Sequence, residues 1–565
     1  MQQPAERPPQ AIVAPALEQQ GCAGETITRI DVHRYAPSPQ SAAERAVAAT
    51  TEAVGLGADR MDESVLRAYV RLRAGDTCIE RDRRESERML RGLPYVASAA
   101  VSAIPTGEGR VVLRVDVVSE VPWVLGGRLG AGGVRALRVG TLDLDGRGLS
   151  AVLSAERGGA FRTGLGLSLA QYGVFGRPAV ASLRLERRRL GGLAQVGIAE
   201  PFLTNGQLTA MHFSVGSETE YAALVRPAGG DAAARTERMS YHIGWVRRVG
   251  AIQRGRPIGL AGLMLMGSEF RTGSDVFVLS DTGLLRTSDS VLVGRYPDYA
   301  VNRVAAVGGL RALRFDTVRR FDALRAAQDV GTGLQVNLLV APSLGGAGRS
   351  RDVLVATDVY AGSGTERSFA ALSMRAEARR ATGAAASWDG VVASARLSWH
   401  QIVSPERTRV LSLSAASLHR LAFPAQLTLR DPDGGLIGFP DSRGAGGQRA
   451  VIRLEERRLT DWFRPRADLA VAAFIDAGRL WAGDVPYGAS TGVHSSVGVS
   501  LLGSFPSGGK RIYRLDVGAP LDRERGGPAL ALRFSIADRT SITWAEPRDV
   551  ARARAGTGPA ALMRW

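Results

Sequence analysis

The chain has 565 residues, of which 72 are basic and 55 acidic, and its formal net charge is +17. A chain of this length exceeds what one ordinary soluble core can bury, so two or more structural units are expected. No segment supplies the roughly 18 apolar residues that a membrane-spanning helix needs. The arginines are dispersed along the chain instead of being clustered on a recognition helix, which disfavours nucleic-acid binding.

Residues 1–24 are predicted to be a disordered lead. The first 20 residues are rich in Pro and Gln and lack the hydrophobic stretch of a signal peptide. An exported form is therefore expected to have had that peptide truncated or removed, or to start elsewhere. Cys22 and Cys78 are the only cysteines. They are expected to form a disulfide in an oxidising compartment, and the alternative is two buried free thiols.

Residues 25–120 carry a mixed pattern that predicts a small α+β domain. After a first alternating strand, apolar residues fall at helical spacing in residues 65–70. A strongly charged helix is predicted at residues 80–90, followed by strands at residues 96–104 and 111–117. The order β-α-α-β-β within one short span is that of a compact α+β unit.

Residues 121–540 lose the helical spacing and alternate between apolar and polar side chains. In Tyr513–Leu521 the odd positions are apolar, whereas the even positions are charged, small or Pro. The next strand carries four large apolar residues on one face: Leu530, Leu532, Phe534 and Ile536. Alternation with a period of two marks strands that face two different environments.

An alternating sheet of this size needs a cover for its apolar face. The sequence supplies almost no helical pattern to provide one, and hydrocarbon outside with water inside is the environment that fits. The pattern therefore predicts a mainly β fold in which residues 121–540 form an antiparallel transmembrane β-barrel. If these residues close into one barrel of 16 strands, each strand with its share of loop takes about 26 residues, and an even strand count is expected for a bacterial barrel. Residues 541–565 lose the alternation and are predicted to be a tail.

The basic residues are almost all Arg, since Lys510 is the only lysine. Two explanations fit this bias. One is the composition of the source genome. The other is a wet lumen lined with Arg, together with rims that meet anionic lipid headgroups.

The order of elements resembles the outer-membrane assembly and translocation family of BamA, TamA and the two-partner secretion transporters. In that family one or more polypeptide-transport-associated (POTRA) domains precede a 16-stranded barrel. Three N-terminal segments carry the resemblance to a POTRA helix and strand: Gly75-Asp76, Glu85–Leu90 and Leu93–Val96. At the start of the barrel, Leu144–Gly148 is similar to the family's first hairpin turn.

Three C-terminal segments are more specific, and their order and spacing match the family. Gly435–Pro440 resembles the tip of the family's long sixth extracellular loop, which folds back into the lumen. Glu455–Arg457 falls where the next strand carries an acidic residue, and Phe474–Trp481 looks like the strand whose Asp faces the loop tip. The resemblance implies that the residues of the loop tip and lumen are Gly438, Phe439, Glu455, Asp476 and Gly478.

The loop tip departs from the family at one position. The family carries an Arg immediately before the Gly-aromatic pair, and Ile437 stands there in this chain. Either Arg443 or Arg449 is expected to replace it by reaching Asp476 or Glu455, because a lumenal carboxylate without a cation is costly where water is scarce. The alternative is that packing of Phe439 alone holds the loop. The simpler interpretations are an ordinary turn at Gly438-Phe439 and an Asp476 that caps a hairpin.

An enzymatic reading finds little support. Gly488–Gly492 matches the pattern of a nucleophile elbow, but no helix is predicted after it. His494 lies nearby without an evident carboxylate to orient it, so a hairpin loop is favoured. The six histidines are scattered without metal-ligand spacing. The sequence therefore predicts no catalytic residues, no metal and no cofactor.

The resemblance implies a non-enzymatic insertion or translocation factor in the outer membrane, with the POTRA domain in the periplasm. A seam between the first strand, within Trp123–Asp145, and the last, Leu530–Ala537, would open and template an incoming strand. Val96–Ile104 would offer a second edge to the client. The implied partners are outer-membrane lipid, unfolded outer-membrane or secreted clients, and periplasmic chaperones or lipoproteins. Two alternatives remain: a polypeptide secretion pore plugged by the sixth loop, and a structural porin on the same scaffold.

Overall fold

The structure is a computed structural model. It describes residues 20–35, 61–130, 133–144, 146–156, 163–227, 230–250, 256–279, 284–345, 351–382, 387–431, 434–464, 466–522, 527–538, 545–554 and 560–563. Most of the predicted disordered lead, residues 1–19, lies outside the described residues.

The N-terminal domain is a three-stranded sheet with two helices. Its elements are β1 (Thr26–Tyr35), α1 (Glu63–Ala68), α2 (Glu80–Arg91), β2 (Val96–Gly107) and β3 (Arg110–Ser119). The sheet order is β1-β3-β2, with β1 parallel and β2 antiparallel to β3. The chain order β-α-α-β-β is the one that the sequence predicts.

A compact apolar core and one covalent link hold this domain together. Leu66 and Leu90 of the two helices are fully buried against Val101 and Leu113 of the sheet. Acidic residues in the first turn of α2 and basic residues in its last turn suit the helix dipole. A disulfide joins Cys22 to Cys78, which ties the leading segment to the start of α2.

Glu80 at the start of α2 makes the stability of this domain dependent on pH. Hydrogen bonds from Arg83, and further ones from the Cys22 N–H and Arg84, lower the pKa of Glu80 from 4.5 to about 2. A lowered carboxyl pKa stabilises the folded state fully above the unfolded value, and that stabilisation is lost as pH falls. We expect the protection factors of the α2 amides in the full-length chain, which are corrected for the intrinsic pH dependence of exchange, to fall progressively from pH 4.5 to 2.

Replacing the Glu80 carboxyl by an amide tests whether this group causes the pH dependence, and a second glutamate provides the control. Glu80→Gln should flatten the pH dependence of exchange in α2, whereas Glu108→Gln, at an exposed turn, should leave it unchanged. Protection factors in α2 that fall just as steeply in the Glu80→Gln variant would contradict the assignment.

The rest of the chain is almost entirely strand. The strands are β4 (Trp123–Gly130), β5 (Gly133–Thr141), β6 (Leu149–Glu156), β7 (Gly164–Tyr172), β8 (Val180–Arg188), β9 (Gly191–Glu200), β10 (Thr209–Leu224), β11 (Ala232–Val249), β12 (Ile258–Leu279), β13 (Leu284–Thr287), β14 (Tyr299–Arg319), β15 (Ala327–Pro342), β16 (Asp352–Gly364), β17 (Ser368–Ala381), β18 (Trp388–Ser404), β19 (Arg407–His419), β20 (Leu427–Thr428), β21 (Ala445–Gly446), β22 (Gln448–Thr460), β23 (Asp468–Trp481), β24 (His494–Ser504), β25 (Arg511–Pro520) and β26 (Ala531–Asp538).

These strands form a closed antiparallel barrel of 20 strands, so the prediction of 16 is wrong. The ring runs from β4 to β26 and closes where β26 lies beside β4. The short β13 only extends one end of β12, which pairs directly with β14, and β20 and β21 form a separate two-stranded sheet. The strand count was too low because β4–β9 are only 8–10 residues long and are joined by short turns.

The barrel wall separates an apolar outer face from a polar inner face. On β22, Ile452 and Leu454 point outward and are 46% exposed, whereas Arg449 and Glu455 point inward and are 3% exposed. The same alternation runs along the long strands β10–β19. An apolar surface of this extent is unfavourable in water and suits hydrocarbon. Among the described residues, no helix is both long and apolar enough to cross a membrane.

The two ends of the barrel are distinguished by the N-terminal domain, which docks at the end called proximal here. The first strand, β4, starts at the proximal end. Because the number of strands is even, the last strand, β26, also ends there. The opposite, distal end carries the connection between β19 and β22, residues 420–447, which is called the long loop below.

The C-terminal segment, predicted to be a tail, continues into the lumen where it is described. It contains two short helices, α3 (Arg548–Ala553) and α4 (Ala560–Met563). Val550 of α3 is fully buried in the same cluster as the apolar residues of the long loop. Leu562 and Met563 of α4 are fully buried against inward residues of β10, β12 and β14.

Candidate functional site in the barrel lumen

The long loop folds back into the lumen and packs there. Its ends pair as the small sheet of β20 and β21. Between them the chain turns sharply, with the Leu436 N–H donating to the Leu429 carbonyl at 3.0 Å and the Phe439 N–H to the Leu436 carbonyl at 3.1 Å. Leu429, Leu436 and Phe439 are buried in one apolar cluster with inward residues of the wall. The loop is therefore a folded part of the lumen.

Backbone groups at the loop tip bind the inner wall directly. The Ile437 N–H donates to the Asp476 carboxylate of β23 at 3.2 Å, and the Gly438 N–H donates to Ser496 Oγ of β24 at 3.3 Å. The Phe439 ring packs edge-on against His494, with ring centroids 5.2 Å apart. The resemblance-based residues Gly438, Phe439 and Asp476 thus meet at one place.

Glycines on the loop tip and on the inner wall of the barrel allow the loop to lie this close to the wall. A Cβ on Gly518 of β25 would lie 2.9 Å from Ile437 Cγ2, and one on Gly438 would lie 2.6 Å from Ser496 Cβ. Gly478 of β23 faces another part of the loop, since a Cβ there would lie 3.1 Å from Leu429 Cδ2. Larger residues at these positions would push the loop off the wall.

The cation beside Asp476 comes from the wall and not from the loop. Asp476 is 1% exposed, and Arg453 of β22 donates to its carboxylate at 2.6 Å. The barrel register places Arg453 directly opposite Asp476 on the neighbouring strand. Arg449 instead binds Asp549 at 2.6 Å, and Arg443 is an exposed residue of the loop. The expectation that one of these two arginines pairs with Asp476 or Glu455 is therefore wrong.

A chain of ion pairs connects this site to the last strand. Glu455 of β22 accepts from Arg514 of β25 at 2.8 Å, and Arg514 also donates to Asp516 at 2.6 Å. Arg533 of β26 donates to Asp516 at 2.8 Å and to Asp431 of the long loop at 2.6 Å. The loop is thereby tied to the seam strand as well as to β23.

Sequence reasoning missed four members of this chain of ion pairs. Arg514 and Asp516 occupy even positions of Tyr513–Leu521, so the alternation already placed them inward. Arg533 follows from the same argument on the next strand. Asp431 carries no such signal because it lies in an irregular loop, and only the folded structure brings it to Arg533.

The barrel seam joins two short strands. Both β4 and β26 have eight residues, whereas β12 has 22. Of the apolar residues predicted for the last strand, Leu532, Phe534 and Ile536 lie on β26 and Leu530 just precedes it. The tip of Ile536 lies 3.7 Å from where a Cβ on Gly126 of β4 would be.

The N-terminal domain contacts the proximal rim of the barrel through α2. Arg91 donates to Asp329 of β15 at 2.6 Å, and both side chains are 7% exposed. Arg88 stacks over the Phe315 ring at 3.8 Å. Lys510, the single lysine, donates to the Arg91 carbonyl at 2.9 Å and is 1% exposed. These contacts fix the domain to the barrel rim.

Removal of the Asp329 carboxylate should loosen the domain from the barrel. Loss of one partner of a buried ion pair costs about 3–5 kcal/mol, since the other charge stays buried. We expect Asp329→Ala to increase amide exchange in α2 of the full-length protein. Asp316→Ala, at an exposed position of β14, is the control. Unchanged exchange in both variants would show that Arg91 does not hold the domain.

The nucleophile-elbow motif lies in the loop between β23 and β24, and no helix follows it. Ser490 Oγ accepts the Ala482 N–H at 3.1 Å. Nδ1 of His494 lies 2.5 Å from an Asp522 carboxylate oxygen, but that nitrogen has no hydrogen-bond partner among the described residues. His494 packs on the loop tip through Phe439. The described residues contain no group of three or more His, Cys, Asp or Glu side chains suited to a metal.

No protein-family model matches the sequence, and no curated protein matches it. Solved structures do. One is BamA from Haemophilus ducreyi lacking POTRA domains 1–3, at 11% identity and TM-score 0.37, covering 90% of this chain and 84% of that one. CdiB from Escherichia coli matches at 12% identity and TM-score 0.47, covering 91% and 76%. CdiB from Acinetobacter baumannii matches at 11% identity and TM-score 0.41, and the match covers 91% of this chain and 74% of that one. At these values the likenesses carry no argument about function.

Proposed function

We propose that this chain is an outer-membrane barrel that assembles or translocates other proteins without enzymatic chemistry. The observation that carries the proposal is the long loop folded into the lumen. Its tip is bound to Asp476 and its Asp431 to Arg533 of the last strand. A barrel that serves only as a porin has no need of a loop that links the lumen to the seam.

The membrane location is supported by the outer wall. Rows of exposed Leu, Ile, Val and Trp cover the outer face of strands whose inner face carries Arg, Asp and Glu. Only hydrocarbon outside and water inside satisfy both faces of such a wall. The N-terminal domain then lies in the periplasm, and the long loop enters the lumen from the cell exterior.

The seam supplies the mechanism. If β4 and β26 separate, each exposes a row of backbone N–H and C=O groups that hydrocarbon cannot satisfy. An incoming client strand can satisfy them by β-augmentation. The loop contact Asp431–Arg533 holds β26 from inside, so movement of the loop and opening of the seam are linked.

The N-terminal domain offers an edge for the unfolded client. The strand β2 lies at the edge of the sheet, and the Gln20 carbonyl already accepts the Ala103 N–H there at 3.0 Å. Glu87 accepts the Val101 N–H at 3.3 Å on the same edge. A client strand would replace these contacts, which are weak enough to exchange. The free energy for the work comes from the client's own folding.

Depletion of the protein tests the function. The abundance of other outer-membrane proteins and of secreted proteins is measured by quantitative mass spectrometry after depletion. An assembly factor lowers the first group and a secretion pore lowers the second group alone. A porin leaves both unchanged, and that outcome would end the proposal.

A polypeptide secretion pore is the second candidate. It is favoured by one observation: segments of the chain's own polypeptide already run through the lumen. Electrical conductance that rises when residues 431–447 are deleted would favour a pore that opens through its lumen over a barrel that opens at its seam.

A further inference from the structure

The C-terminal segment is held in the lumen at three separate places. The first is an ion pair between Asp549 of α3 and Arg449 of β22, with distances of 2.6 and 3.1 Å. The two side chains are 8% and 3% exposed. Arg449 also donates to the Thr428 carbonyl of the long loop at 2.7 Å, so one wall arginine holds both segments.

The second place is a cluster of charges around Arg554, just after α3. Arg554 donates to Glu546 at 2.5 Å and to Ser394 of β18 at 3.1 Å. It also lies 3.6 Å from Glu377 of β17, which is 4% exposed. From the other side, Arg238 of β11 donates to the Arg554 carbonyl at 2.7 Å. Strands from two separate parts of the wall therefore bind the same residue.

The third place is an apolar socket for α4 near the proximal end. Leu562 and Met563 are both fully buried. A Cβ on Gly244 would lie 2.8 Å from Leu562 Cδ1, and one on Gly309 would lie 3.0 Å from Met563 Sδ. The Leu562 carbonyl accepts the Phe202 N–H at 3.1 Å. Small wall residues thus leave a recess that these two side chains fill.

The placement of the helices shows that the segment spans the lumen. Pro547 touches Gly434 of the long loop, and Val550 shares the loop's apolar cluster, so α3 lies in the distal half. The contact of α4 with Phe202 lies in the proximal half, next to the turn before β10. The helices α3 and α4 therefore lie in opposite halves of the lumen.

We infer that the lumen wall carries a binding site for the chain's own C-terminal segment, and that this segment is a removable plug that closes the barrel. Departure of the segment would leave Arg449 and Glu377 without their tail partners in a water-filled lumen, where exposed charges are tolerated. It would also empty the recess of α4. The attachment is non-covalent at all three places, so it can be reversed.

Conductance in planar lipid bilayers tests the plug separately from assembly activity. The chain lacking residues 545–565 should conduct several-fold more than the full-length chain. A synthetic peptide of residues 545–565 should block the truncated barrel when added from the proximal side. The same peptide carrying Asp549→Arg should not block it. Heat-modifiable migration on gels shows whether each barrel has folded.

Charge reversal keeps the test valid if truncation prevents folding. In the full-length chain Asp549→Arg should raise the conductance, and Asp549→Arg with Arg449→Asp should lower it again. Ala551→Ser, at an exposed position of α3, should behave as the unchanged chain. If folded barrels conduct equally with and without the segment, or the peptide never blocks, the plug is excluded.

Discussion

A disulfide across the seam should abolish the assembly activity of the protein, and its reduction should restore that activity. One cysteine is placed in β4, at Leu125, Gly126 or Gly127, and the other at Ile536 of β26. These positions are chosen because the Ile536 side chain reaches the Gly126 backbone across the seam. A covalent link there prevents the two strands from parting, so no client strand can use their edges. The loss should exceed tenfold, about 1.4 kcal/mol in free-energy terms.

Two comparisons make the result specific. A cysteine pair at opposed outward positions of β23 and β24, Ile475 and Val497, should crosslink without loss of activity, because that pair of strands stays closed. Each single cysteine variant should be active. Outer-membrane protein levels are measured with and without reductant. Full activity of the crosslinked seam would show that the barrel works through its lumen instead.

Movement of the cation from the wall to the loop tip should restore a loop that either single change damages. Arg453→Ala leaves the Asp476 carboxylate buried without its cation, at a cost of about 3–5 kcal/mol. Ile437→Arg forces a second cation into a site that is 1% exposed and already holds Arg453. The double variant returns to one cation for one carboxylate. It should therefore be more stable than either single variant.

The double-mutant cycle is read from thermal unfolding and from protease cleavage of the long loop in intact cells. Contacting charges usually give interaction energies of about 0.5–3 kcal/mol, and we expect a favourable value here. Arg458→Ala, on the outward face of the same strand, is the control and should leave cleavage unchanged. If the effects of the two changes on stability are additive, the arginine introduced at position 437 and Arg453 do not pair with the same carboxylate.

The alternation of the sequence was enough to predict a barrel and the inward or outward direction of its residues. It was not enough to count strands, because the count depends on turn lengths that the pattern leaves open. Residues 123–145, treated as the region of a single first strand, contain both β4 and β5. The cation that pairs with Asp476 is set by the register between β22 and β23. Only strand pairing in the folded barrel places Arg453 opposite Asp476.

The C-terminal segment shows a second limit of sequence reasoning. Its two helices have six and four residues, too few to be stable alone or to give a helical pattern. Their conformation follows from contacts with the wall, above all those of Asp549, Arg554 and Leu562. Loss of alternation after the last strand was read as a tail, although Val550, Ala553, Leu562 and Met563 of that stretch are almost fully buried in the lumen.

The position of the long loop shows where the barrel exceeds the 16 strands that were expected from the sequence. In a barrel of 16 strands the sixth distal loop is followed by five strands. Here the long loop is the eighth distal connection, and five strands, β22–β26, also follow it. The four strands beyond the expected 16 therefore lie before the loop.

Those four strands have a geometric consequence for the bore of the cylinder. Barrel diameter grows roughly in proportion to the number of strands, so 20 strands enclose about 1.6 times the cross-sectional area of 16. The helices α3 and α4 of the C-terminal segment occupy part of that larger cross-section, so the wider ring is partly filled by its own chain.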